Sequence, residues 1–196
     1  MQNVVQARSS RLARTFFISL KQLIALLLVV IVISAVGYWA VQRGDMFKRW
    51  ASQIEEAQAL RSHLDMAYIL LKYGNFETNY VTQDWFAKEL DYADSSLLEL
   101  MRLDESSPAQ LGRIESMLVD LRGSYMHLIG LNSTDRNALG EALHDIGWKA
   151  VAAYANYLEP AGSSNPPLWY SGPSPPDETI LEEAAELAID VQDKLP

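Results

Sequence analysis

Three histidines, His63, His127 and His144, are the side chains with the most versatile chemistry in the chain. Three neutral imidazoles can occupy three corners of a tetrahedral metal site. No two of them stand three or four residues apart, so no helical turn offers a ligand pair. The chain has no cysteine, which excludes thiolate ligands, a thiol nucleophile and disulfides. Ordinary surface histidine is the expectation. Acidic pairs such as Glu55-Glu56 and Glu182-Glu183 read as solvated faces, because catalytic carboxylates are defined by geometry that spacing alone does not supply. No nucleophile elbow, phosphate loop, HExxH or dinucleotide fingerprint is present. The expectation is therefore a non-enzymatic chain with no cofactor and no metal.

Arg61 is the more pointed candidate. It interrupts an apolar series, Phe47, Trp50, Ile54, Ala57, Arg61, Leu64, Tyr68 and Leu71, whose members alternate three- and four-residue steps. A guanidinium at such a place has three readings. Its stem packs at the rim of a helical core with its head in water, it pairs with a facing acid and fixes register, or it binds an anion as in a sensor pocket. The first is expected. Trp169 and Tyr170 form a second candidate: aromatics among prolines either fold back on the protein or dock on a partner. Asn132-Ser133-Thr134 matches a glycosylation acceptor, a pattern common by chance.

The elements that must position these residues begin with an apolar run, residues 23–41, free of charge. Nineteen helical residues at about 1.5 Å each approach the roughly 30 Å of a bilayer's hydrocarbon core. Within lipid, backbone groups must bond internally, so a single span is a helix. Arg8, Arg11, Arg14 and Lys21 precede it without an acid, against Arg43, Lys48 and Arg49 with Asp45 after it. This bias places residues 1–22 in the cytoplasm and the remainder outside it. A cleaved signal peptide ending near Ala35-Val36-Gly37 competes, but the run is too long for an h-region and continues to Val41.

Charge follows the same division. Residues 1–49 carry a formal +6 and residues 50–196 a formal −15, which together give the chain's −9. An acidic exterior lacks the basic footprint that nucleic acid requires and serves solubility. Some 150 residues suffice for one core without staples.

The exterior reads as helices. The first, 45–73, continues the membrane helix if Gly44 is absorbed, and Gly74-Asn75 stops it. A second, 82–103, is capped by Thr82 and carries Phe86, Leu90, Ala93, Leu97 and Leu100. The third starts at Ser107-Pro108, carries Leu111, Ile114, Leu118, Leu121, Tyr125 and Leu128, and ends at Gly130. The fourth runs from Thr134 or Asp135 to Leu158, on a face rich in alanine. Residues 160–176 hold six of the eight prolines and form an extended connector. A short acidic helix, 179–193, follows, with a stripe of Ile180, Ala184, Leu187 and Val191.

The resulting expectation is all-α: one transmembrane helix (23–41), an extracytoplasmic antiparallel bundle of about four helices (42–159), a proline-rich connector (160–178) and a short acidic helix (179–196). The layout resembles the exterior sensor domains of bacterial chemoreceptors and related histidine kinases, where a four-helix bundle stands on a membrane helix. Those proteins return through a second membrane helix to a signalling domain, and this sequence shows neither. Two functions fit: a single-pass inner-membrane assembly subunit that binds the bilayer and a protein partner or a second copy, or a module sensing a small anion near Arg61. Trp169, Tyr170 and Leu187 on the terminal helix are then the expected docking arm. An enclosed polar pocket around Arg61 would favour sensing, and a dry core with an exposed apolar stripe would favour assembly.

Overall fold

The computed structural model describes residues 2–74, 79–155 and 176–195; within these, the side chains of residues 2–24, 26 and 125–127 are left aside. Among the described residues there are six helices and no strand: α1 (Gln2–Tyr73), α2 (Tyr80–Leu103), α3 (Pro108–Gly123), α4 (Tyr125–Gly130), α5 (Ser133–Ala155) and α6 (Glu178–Gln192). They fall into two compact units, Met1–Met46 and Phe47–Pro196.

The first unit lies wholly on α1. The helical stretch Leu27–Tyr73 contains a window long and apolar enough to cross a membrane, and none of that window is buried. This is the one candidate membrane helix among the described residues. At the end of the apolar run, Gln42 Nε2 donates to Tyr38 Oη at 2.6 Å, and the Arg43 guanidinium lies 5.0 Å from the Trp39 ring centroid. Both are contacts one helical turn apart. The helix continues through Gly44, as the low cost of a single helical glycine allows.

The second unit packs its helices around one core, in which Leu64, Phe86, Leu97, Leu118, Ile146 and Leu181 are fully or almost fully buried. α1 runs antiparallel to α2: Gln53 Nε2 donates to the Leu103 carbonyl at 2.9 Å, while His63 meets Glu89. α2 runs antiparallel to α3, tied by Arg122 to Asp91 at 2.5 Å and Asp94 at 3.2 Å. α6 packs between α3 and α5. Its Glu182 pairs with Arg113 of α3 and its Glu183 with Lys149 of α5. α5 returns to α1 through His144 and Asp65. All six helices thus contribute to the core, α4 through the fully buried Leu128.

Local chemistry sets the helix ends. Asn79, not Thr82, caps α2: its side chain accepts from Val81 N at 3.0 Å, and Thr82 is buried one turn inside. Gly74 ends α1 where no side chain fits, since a Cβ there would lie 2.3 Å from the Leu70 carbonyl oxygen and 2.5 Å from Thr82 Cγ2. Pro108 opens α3 as expected, but buried Ser107 makes no side-chain cap bond. The single helix expected over 108–130 is divided at Gly123-Ser124, two poor helix formers in succession. Asn132 accepts from Thr134 N and Asp135 N at the start of α5, and Asp177 accepts from Thr179 N and Ile180 N at the start of α6.

Candidate functional site

Along α1 the buried seam is Ala57, Leu60, Leu64, Ala67 and Leu71. This series alternates three- and four-residue steps without a polar interruption. Arg61 and Tyr68 therefore stand one position beside the seam, not on it, because Leu60 and Ala67 offer the same periodicity with apolar side chains. Both look toward α5, and both meet a glycine there. A Cβ built on Gly147 would lie 3.0 Å from Arg61 Cα, and one on Gly140 would lie 2.9 Å from Tyr68 Cδ2. Two glycines seven residues apart on α5 thus face two bulky residues seven apart on α1. The alanine-rich face of α5 was expected to permit close approach; the approach itself occurs at the glycines.

The Arg61 guanidinium is enclosed by its own neighbours. Its Nε lies 3.3 Å from Asp65 Oδ2, a close ion contact that lacks hydrogen-bond alignment. Its Cζ sits 3.3 Å from the centroid of the Trp148 ring, a stacked cation–π contact. Asp65 Oδ1 is 2.6 Å from His144 Nδ1, and the His144 ring is 5.4 Å from Tyr68 and 6.2 Å from Trp148. Asp65 offsets the positive charge and Trp148 covers one face of it. The adjoining depression, lined by Gln58, Arg61, Ser62, Asp65, Met66 and Ile69, is open to solvent. This arrangement pins α1 to α5 in register.

The two histidines whose side chains are described, His63 and His144, each meet a carboxylate on a neighbouring helix. His63 Nδ1 lies 2.7 Å from Glu89 Oε2 across the α1–α2 interface, with its ring 5.3 Å from Tyr92. His144 serves the α1–α5 interface. The side chain of His127 lies outside those described. No cluster of three His, Cys, Asp or Glu able to hold a metal ion occurs among the described residues.

Among the described residues one carboxylate is taken into the interior. Asp104, only 3% exposed, accepts from the Tyr154 hydroxyl at 2.5 Å and from Ser106 N at 2.9 Å and Ser106 Oγ at 2.5 Å. Burial, reinforced by the bond to Asp104, pushes the Tyr154 hydroxyl well above the usual phenol range. The carboxylate is fully satisfied and ties the α2–α3 turn to the end of α5.

Trp169 and Tyr170 lie outside the described residues. Leu187 is half-buried against this chain's own core. The face that α6 turns inward is Leu181, Ala184, Ala185, Ala188 and Val191, rotated from the expected stripe so that Ile180 and Leu187 flank it. The helix thus finds a packing surface on α3 and α5, with Leu187 at its edge.

An apolar surface does remain, on the outer side of α1 and α2. Met66, Ile69 and Tyr73 of α1 and Tyr80, Val81, Trp85 and Tyr92 of α2 are 41–83% exposed. The His63–Glu89 contact joins α1 to α2, and the Tyr92 ring reaches across to His63. The signal was present in the sequence as a second apolar series on α2, Val81, Trp85 and Tyr92, opposite the buried Phe86 series. Compared with protein-family models, with curated proteins and with solved structures, the chain matches none of them.

Proposed function

We propose that this chain is a single-pass membrane protein with its N-terminus in the cytoplasm, presenting a helical bundle outside it as a non-enzymatic interaction subunit. The basic residues before the apolar run support the orientation. The observation that carries the functional reading is the exposed aromatic face of α1 and α2, set against a core whose seams are apolar and an Arg61 that is occupied by Asp65 and Trp148. Trp and Tyr dominate binding hot spots because they bury large area at little entropic expense. The test is affinity purification of the full chain from membranes in mild detergent, beside Trp85→Asp. Loss of co-purifying chains in the variant, with its melting temperature unchanged, supports the reading. Retention of every partner refutes it.

A further inference from the structure

α6 differs from the other helices of the second unit in what it brings to its neighbours. Its 15 residues include five acids, Glu178, Glu182, Glu183, Glu186 and Asp190, and no basic residue. Glu178 and Glu182, Glu182 and Glu186, and Glu186 and Asp190 stand four apart, where like charges on one helix repel. No cation in its last turn offsets the helix dipole. A helix of this length is marginal alone in water, and this one is weakened further by its own charge.

Its apolar grip is also light. Of its five buried residues, Ala184, Ala185 and Ala188 bring one methyl each, with Leu181 and Val191 beside them. The apolar face of α2, by contrast, buries Phe86, Leu90, Ala93, Leu97 and Leu100. The hydrophobic contribution scales with the apolar area removed from water, so α6 gains less from burial. Charge from outside the helix makes up the difference. Arg113 of α3 pairs with Glu182 and Lys149 of α5 pairs with Glu183, one cation on each flank. These side chains are 33–52% exposed, so salt reaches both pairs. Gln192 adds bonds to Ser116 Oγ at 2.9 Å and Asp120 Oδ2 at 2.5 Å. Residues 50–196 carry a formal −15, so without the two cations α6 docks on a body of its own sign.

From these we infer that α6 is an electrostatic latch: held by Arg113 and Lys149, it is the first helix to leave the bundle, and screening or removing those two charges releases it. Asp177 N bonds to the Ala153 carbonyl at 3.0 Å, so α6 begins in space where α5 ends, although 22 residues separate Ala155 from Glu178 in sequence. That length of chain lets α6 lift while α5 stays folded. Leaving, α6 uncovers the sides of α3 and α5 on which it packs. Segments that open at low free energy, ahead of global unfolding, are those from which regulated surfaces are drawn. The latch is independent of the α1–α2 face and goes beyond the interaction reading.

Hydrogen exchange of the full chain in detergent, read by mass spectrometry, follows each helix separately. Raising sodium chloride from about 50 mM to about 500 mM brings screening to the scale of a single ion pair. The expected result is that α6 amides exchange faster than those of α2, α3 and α5. The salt step should speed α6 alone by roughly ten-fold, the scale of two part-exposed pairs. Arg113→Gln with Lys149→Gln should give the fast rate at low salt and abolish the salt response. Exchanging the partners, by Arg113→Glu with Glu182→Arg and Lys149→Glu with Glu183→Lys, should restore slow exchange. Where the glutamine variant loosens α2 as well, the salt series on the parent and the charge-swapped chain decide. Exchange of α6 in step with α2, α3 and α5 at both salt levels overturns the inference, because the helix then leaves only when the whole unit unfolds. So does a salt response that survives in a folded glutamine variant, or a charge swap that leaves α6 fast.

Discussion

Removing one oxygen from Tyr154 tests how the interior is held together. Tyr154→Phe keeps the ring, so it opens no cavity of consequence, but it deletes the donor 2.5 Å from Asp104 Oδ2. Asp104 keeps its two bonds from Ser106 on the other oxygen, and at 3% exposure water cannot readily replace the lost one. Hydrogen bonds to charged groups contribute about 1.5–3 kcal/mol. For a unit of this size, Phe47–Pro196, each kcal/mol moves the melting temperature by about 2–4 °C, so a fall of roughly 3–12 °C is expected. Thermal unfolding of the full chain in detergent, followed by circular dichroism, measures it. A pH series adds a second arm. The folded-state pKa of Tyr154 is raised, so its contribution is fully present below the unfolded phenol value of about 10 and declines as pH rises beyond it. There the unfolded chain has released a proton that the folded chain still holds, and the slope approaches −1.4 kcal/mol per pH unit. The advantage of the parent over Tyr154→Phe should therefore shrink above about pH 10. A shift below about 1 °C, or an advantage that is flat with pH, refutes the assignment of this bond as a stabilising tie.

Glycines separate packing from propensity. Gly147→Leu drives a side chain into the Arg61 backbone, 3.0 Å from the first added carbon, and should destabilise by about 1–3 kcal/mol in denaturant titration. Gly112→Ala on α3 meets nothing within 4 Å and should stabilise by about 0.5–1 kcal/mol in the same assay. Topology is tested by protease added outside right-side-out vesicles: residues beyond the apolar run should be digested and an N-terminal tag protected, and a protected Trp85 region reverses the orientation.

Most of the fold was legible because apolar period dictates helices. Leu90, Ala93, Leu97 and Leu100 on α2 and Leu111, Ile114, Leu118 and Leu121 on α3 are buried as their spacing requires. What the period alone does not contain is phase where two series share the same steps. On α1, the series through Arg61 and Tyr68 and the series through Leu60 and Ala67 share Ala57, Leu64 and Leu71, and both have heptad steps. The choice is made by α5, whose Gly140 and Gly147 leave room for the larger pair at the flank. That complementarity joins residues about eighty positions apart, and spacing along one helix carries no trace of it. The seat of α6 is open in the sequence for a related reason. Read alone it was a marginal helix on a long tether, whereas Asp177 N bonds to the Ala153 carbonyl at 3.0 Å and seats its start directly on the end of α5.

The same accounting explains why the candidate surface lies where it does. In the second unit α1 has four sides. Leu60, Leu64 and Ala67 face the core, His63 faces α2, and Arg61, Asp65 and Tyr68 face α5. The polar residues sort onto the two flanks because each meets a partner there: Glu89 for His63, Trp148 and Asp65 for Arg61, and Asp65 for His144. The fourth side is where a solvated helix carries polar groups, and α1 follows that rule at Glu55 and Gln58. It departs from it at Met66, Ile69 and Tyr73, beside the departure on α2 at Val81, Trp85 and Tyr92. Neither departure helps its own helix pack. The interaction reading proposed above rests on these exposed side chains of two neighbouring helices.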